Sequence, residues 1–341
     1  MKKRALIIEQ MPCHQEIIPS WVWALTRQGY EVDILANAPL HRHIGSVMKD
    51  MMKLTGFQFL AVTNPNLDDY EIILNNSLYP GDHVPHLKPG RKTLSVLHTL
   101  PDKAFNFNKD FQSLRNQDHC ILALGPHMYQ VLGDELNSCL APPIFFGDAP
   151  SIQKERHRFL VQGTMERFRR NYGCLAFLIN KFGPSNSLFE LTLMGDGGKG
   201  VVSWLTPQIQ KKYQPRLYAL LNTGYDRFLR EIRKVGWVMP CVDDTYQHGY
   251  FTRKITSSVM MAIGNCTPLL LHQKLAEIYG LKHELNCLTY SDAQDSLSAA
   301  FRKALEMPEE KYYAIVAEAR KIRQIWLQQL DQAFKNKISE K

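Results

Sequence analysis

The chain has no apolar run near the ~20 residues that a membrane-spanning helix needs, and no C-x-x-C pair among its seven cysteines. The first absence leaves no candidate spanning helix. The second, with the odd cysteine number, argues against a disulfide framework and a zinc site and for a reducing, cytoplasmic setting. Metal-ligand spacing is missing too: His41 and His43 are one residue apart, with no third ligand nearby in sequence. No metal and no cofactor are therefore expected. Gly195-Asp-Gly-Gly-Lys-Gly200 lacks the spacing and the hydroxyl after lysine that a nucleoside-triphosphate loop requires. No recognised nucleic-acid motif accompanies the net charge of +8, so nucleic acid is not an expected partner. The same charge suits phosphate ligands or peripheral contact with an anionic membrane face.

What is present is an alternation. Ala5 to Ile8 is strand-like, since an apolar stretch that short before Glu9 cannot be a signal-peptide core. Ile17 to Arg27 is helix-like. Further strands are expected at Glu31 to Ala36, Phe57 to Val62, Glu71 to Leu74, Thr93 to His98 and Cys120 to Leu124. Pro126 opens a helix expected to run to about Asn137. The proline-bounded Ala141 to Pro150 then interrupts the rhythm as a linker. A second alternation follows, with strands at Arg158 to Gln162 and Phe189 to Met194, helices at Asn171 to Asn180 and Tyr225 to Lys234, and Gly236 to Val242 extended. Strands alternating with helices imply parallel sheets with helical crossovers.

The expected organisation is thus an N-terminal lobe (1–150), a C-terminal lobe (151–307) and a long helix from Pro308 to Lys335 within 308–341. That helix repeats Tyr312, Ile315, Val316, Ala319, Ile322, Trp326, Leu330 and Phe334 at helical spacing and is expected to pack back on the first lobe. Both lobes are α/β, Rossmann-like and doubly wound, and ligands of such sheets sit beyond the carboxyl ends of the strands.

The richest stretch runs from Tyr250 to Leu271. Thr252 to Lys254 form a polar loop, Thr256, Ser257 and Ser258 start a short apolar helix ending at Gly264, and Pro268 leads an apolar strand. A helix start carrying hydroxyls beside a lysine offers unpaired N–H groups, a cation and partial positive charge to a phosphate.

Together with Phe159-Leu-Val-Gln-Gly163, the basic run Glu166-Arg-Phe-Arg-Arg-Asn171 and Leu191-Thr-Leu-Met-Gly-Asp-Gly197, this layout resembles the GT-B glycosyltransferases, family-four-like. The resemblance implies two Rossmann-like lobes with a cleft between them, acceptor on the first and nucleotide-sugar donor on the second. It also implies Gly163, then Arg169 or Arg170, at the donor diphosphate, with Lys254, Thr256, Ser257 and Ser258. Arg253 and Met261 stand where family-four enzymes carry paired glutamates, which puts this chain with a divergent branch. The implied activity is metal-independent transfer of a sugar from a nucleotide-diphosphate donor, which is a substrate and not a cofactor, to a glycan or lipid-linked glycan in bacterial surface polysaccharide synthesis.

Two first-lobe histidines are base candidates: His14, in the loop after the first strand, and His98, at the end of the Thr93 to Leu97 strand. His83 and His86 are candidates for the acceptor. A sugar-nucleotide epimerase is the enzymatic alternative, with Asp148, Asp243 or Asp244 supplying the carboxylates it needs. A non-catalytic partner protein of the same fold is the other.

Overall fold

A computed structural model describes residues 3–9, 11, 14–36, 38–61, 64–78, 91–100, 119–133, 136–149, 151, 153–184, 189–243, 248–293 and 295–339, with the side chains of 37–43 outside the description. Cys13, His83, His86, Pro150 and Asp244 fall outside it. The chain divides into two compact units. One comprises Met1–Asp148, Thr252–Ile255 and Gln324–Lys341; the other comprises Ala149–Phe251 and Thr256–Arg323.

The first unit is built on seven strands: β1 (Lys3–Glu9), β2 (Tyr30–Ala36), β3 (Phe57–Phe59), β4 (Ile72–Leu78), β5 (Lys92–Leu97), β6 (His119–Ala123) and β7 (Ser138–Leu140). Their order across the sheet is β3-β2-β1-β4-β5-β6-β7, and every neighbouring pair is parallel. Parallel strands are covered on both faces, which is why β1 and β6 read as unbroken apolar runs and not as alternations. The second unit has β8 (Glu155–Gln162), β9 (Glu190–Gly195), β10 (Leu217–Leu221), β11 (Val235–Val238), β12 (Leu269–His272) and β13 (Cys287–Tyr290), in the order β10-β9-β8-β11-β12-β13, again all parallel.

Each unit therefore winds outward from a central strand and returns to that strand's other side. The connections leaving the two central strands diverge, and the divergence opens a crevice at their carboxyl ends. In the first unit this switch point lies between β1 and β4, in the second between β8 and β11.

The second unit's core is aromatic: Phe301 packs against Phe159, Phe182 and Phe189, and Trp237 against Phe159 and Tyr312. In the first unit, Trp21 of the helix Ile18–Arg27 stacks on Phe334 at 5.8 Å, which anchors the end of the helix Glu309–Ser339 there. Arg27 pairs with Asp331, and Lys92 Nζ donates to the Lys337 and Ile338 carbonyls.

Several elements differ from the sequence expectation. The helix opened by Pro126 ends at Leu132, capped by Gly133; Leu136 and Asn137 are bends, and the edge strand β7 follows from Ser138. The helices Ala38–Asp50 and Ser296–Glu306 and the short strands β10 and β13 were not anticipated. The long C-terminal helix runs Glu309–Ser339, and its residues through Arg323 belong to the second unit.

Candidate active site

At the switch point of the first unit the register places Ile8 of β1 beside Asn75 of β4, so Glu9 and Asn76 follow at the same level. Glu9 is buried. Its Oε1 accepts from the Met11 N–H at 2.7 Å, and its Oε2 accepts from Ser77 Oγ at 2.9 Å and from the Asn76 amide. Asn76 Nδ2 also donates to the His14 carbonyl at 3.1 Å, while its Oδ1 accepts from Trp21 Nε1 at 2.6 Å. Asn76 is thus a buried bracket between the carboxylate, the His14 loop and the helix behind them.

The two candidate histidines meet. The rings of His14 and His98 stack with centroids 3.6 Å apart and planes 20° apart. His98 Nε2 donates to the Asn76 carbonyl at 2.7 Å and lies 3.4 Å from Ser77 Oγ, which assigns the proton to Nε2, because a carbonyl only accepts. Burial, then the neighbouring His14, pushes His98 down to about 3, against the Asn76 carbonyl. His14 is half-buried, with φ 65°, and burial lowers it while Glu9 pulls the other way. Burial raises the Glu9 carboxyl, opposed by its bonds from Asn76, Met11 and Ser77 and by His14. A histidine held near 3 stays neutral at neutral pH.

Lys254 belongs to this same unit. Its backbone bridges Thr99, the residue after His98, and its carbonyl lies 3.2 Å from His127 Nε2. The Leu100 N–H donates to the Arg253 carbonyl at 2.7 Å. Lys254 and the hydroxyl-bearing helix start, two residues apart in sequence, are thus divided between the compact units.

The switch point of the second unit is built around Arg170. Gly163 follows β8 with φ +116°, and a Cβ there would stand 2.6 Å from Arg170 Nη2. Glycine is required twice over, for the backbone angle and for the guanidinium lying against it. Arg170 Nη1 donates to the Pro240 carbonyl beyond β11, and Nη2 donates to Ser258 Oγ at 3.3 Å. Ser258 in turn donates to the Gln162 carbonyl at 3.3 Å. The guanidinium therefore ties both central strands to the start of the helix Ser257–Gly264.

Thr256 caps that helix by position only: its side chain makes no capping bond, and its N–H donates to Tyr279 Oη at 3.3 Å. Thr256 Oγ1, Arg170 Nε and Gln162 Oε1 are buried without hydrogen-bond partners. Such atoms are uncommon in folded proteins. Arg170 Nε and Thr256 Oγ1 are donors that, beside the helix N-terminus, suit an anion, whereas Gln162 Oε1 can only accept. Ser257, half-buried, is the next residue of that helix start.

Of the sequence candidates, the structure joins Arg170 with Gly163 and Ser258, and joins His14 with His98. Arg169, the other basic candidate beside Arg170, is paired with Glu166. Sequence reasoning missed Glu9, Asn76, Ser77 and Gln162. The available signal was polarity at the carboxyl ends of otherwise apolar strands: Glu9 after Ala5 to Ile8, and Asn75-Asn76-Ser77 after Ile72 to Leu74.

No protein-family model and no curated protein matches the chain. Solved structures do. A glycosyltransferase from Rickettsia africae superposes with TM-score 0.62 at 10% identity over 100% of both chains. Anabaena HepE, solved in complex with UDP and glucose, has TM-score 0.62 at 13% identity over 99% of each chain. A putative UDP-N-acetylglucosamine 2-epimerase from Listeria monocytogenes reaches 0.55 at 11% identity, over 93% of this chain and 91% of that one. At such identities the likeness speaks to architecture: the two parallel sheets with alternating helices are the two Rossmann-like lobes of the GT-B fold.

Proposed function

We propose that this protein is a glycosyltransferase that moves a sugar from a nucleotide-diphosphate donor to a glycan or lipid-linked glycan acceptor, in bacterial surface polysaccharide synthesis. The observation that carries the reading is the pairing of chemistries at the two switch points: a guanidinium and hydroxyl wall in one unit, and an imidazole backed by a carboxylate in the other. The resemblance in fold to a protein solved with UDP and glucose supports it.

In this reading the second unit takes the donor. Arg170, Thr256, Ser257 and Ser258 hold the diphosphate beside Gly163, and Arg169 of the same unit adds positive charge. Pre-placed donors of this kind stabilise the charge that grows on the leaving diphosphate without a metal ion. The first unit serves the acceptor. The acceptor oxygen bonds to the anomeric carbon, the carbon–oxygen bond to the diphosphate breaks with its electron pair on the diphosphate, and the acceptor's proton passes to His14. His98 supports the ring as a neutral stacking partner.

The test is a thermal-shift panel of nucleoside diphosphates and their sugars, followed by assay of nucleoside diphosphate release with and without glycan acceptors. A ligand at a hundredfold excess over its Kd stabilises the folded state by roughly 2.7 kcal/mol. One base class should stand out, and release should need acceptor. The epimerase neighbour gives the second reading a specific footing. A change of sugar configuration with no acceptor added would establish it in place of transfer.

A further inference from the structure

The carboxylate of Glu9 neither gives nor takes a proton in the transfer step, and its own surroundings are unusual. It ends the central strand β1 at the switch point, is 1% exposed, and has both oxygens engaged by Met11, Asn76 and Ser77. A carboxylate so enclosed cannot reach an acceptor, and that removes it as the base. Two features connect it to His14. Asn76 Nδ2 bonds both Glu9 Oε2 and the His14 carbonyl, and Ser77 links Glu9 to His98, on which the His14 ring stacks. The carboxylate thus supports the His14 backbone through one residue and the His14 ring through two.

We propose that Glu9 is the positioning residue of the base: through Asn76, Ser77 and His98 it fixes the His14 imidazole in place, and its negative charge compensates the imidazolium that forms when His14 takes the acceptor's proton. The inference rests on the sugar-transfer reading for its catalytic meaning, although the coupling of the two groups does not. Glu9, at the end of β1, acts electrostatically on His14, and His98, the residue after β5, stacks on its ring. His98 stays neutral in the working pH range, and the Glu9 carboxylate is a negative charge that acts on His14. A negative charge at that place makes His14 a stronger base than burial alone allows.

The test is the full-length chain carrying Glu9→Gln, with Glu9→Asp as the charge-conserving control. The first readout is the NMR titration of the His14 imidazole, assigned with His14→Ala. Removal of the charge should lower the His14 midpoint by about one unit, a tenfold change in proton affinity, and Glu9→Asp should restore most of it. The second readout is the pH profile of transfer. The limb that rises as His14 loses its proton should move to lower pH in Glu9→Gln, and the plateau should fall about 10- to 100-fold with nucleotide affinity unchanged. An unmoved His14 midpoint in folded Glu9→Gln protein overturns the proposal. Should Glu9→Gln not fold, the wild-type titration decides: coupling gives the His14 signal a second inflection as Glu9 ionises, and a single inflection overturns it. If the wild-type chain transfers no sugar, the sugar-transfer reading fails while the titration still reports on Glu9 and His14.

Discussion

The two units share one strand order and one switch point, yet they present opposite chemistry there. The first ends its central strands in Glu9 and in Asn76-Ser77, with His14 in the following loop. The second ends them in Gln162-Gly163 and Met239-Pro240, with Arg170 threaded between. Topology opens a crevice in both, but it does not choose the ligand. The choice lies in a few side chains at strand ends, where the backbone is rigid and the loops are free to vary. Size divides the two as well. The second crevice is made by removing side chains, since glycines let a guanidinium and another strand's backbone come close, whereas the first is filled by a hydrogen-bonded polar network.

This contrast can be broken from either side. The largest expected effect is in the first unit: His14→Ala should lower transfer by ~10²–10⁴-fold and leave nucleoside diphosphate binding intact, measured by kcat and by calorimetry. Equal loss of binding would mean that His14 belongs with the donor. Next come the close-packed glycines. A Cβ on Gly195 would lie 2.0 Å from the Gly163 carbonyl oxygen. Gly195→Ala should therefore destabilise the second unit by about 3 kcal/mol in urea unfolding, since backbone does not yield as a side chain tip does.

Arg170→Gln should weaken nucleoside diphosphate binding by about 10- to 100-fold, the worth of one charge-assisted contact set, with a smaller effect on the pH profile of transfer than His14→Ala. Equal affinity in wild type and variant would leave Arg170 a purely structural tie between Pro240 and Ser258.

The smallest effect lies away from both switch points. Lys154 is buried, with Nζ donating to Thr267 Oγ1 at 2.7 Å and to the Asn265 carbonyl at 3.2 Å, and burial pushes it down from 10.5 to about 7. A lysine whose folded value is depressed costs stability while the unfolded chain is protonated. That cost is full below about 7 and fades as pH rises toward 10.5. The stability of wild type relative to Lys154→Met should therefore climb between those limits, a trend that Tm measurements at several pH values would detect. A constant difference across the range would show that the lysine stays charged.

Long apolar runs made much of the fold legible. Strand segments buried on both faces are largely apolar, so β6, β12 and the carboxyl-terminal halves of β1 and β8 are plain in the residue string, and the helix Tyr225–Lys234 coincides with its expected limits. Short edge elements were not legible. β7 and β13 have three and four residues, too few for a periodic signal, and they are strands because a neighbour offers them hydrogen bonds.

The candidate site divides along the same line. Residue types and their places at strand and helix ends, His14, His98, Gly163, Arg170 and the Thr256 to Ser258 hydroxyls, are properties of the sequence, because the α/β alternation alone puts loop residues at the carboxyl edge of a sheet. Pairing is not. Arg170 meets Ser258 across 88 positions of chain, Glu9 meets Asn76 across 67, and Lys254 parts from Thr256 although only Ile255 lies between them. Which groups touch is decided by strand order and crossover, and these become definite only when each unit closes its core, since the contacts that select them are too long in range for any local pattern to encode.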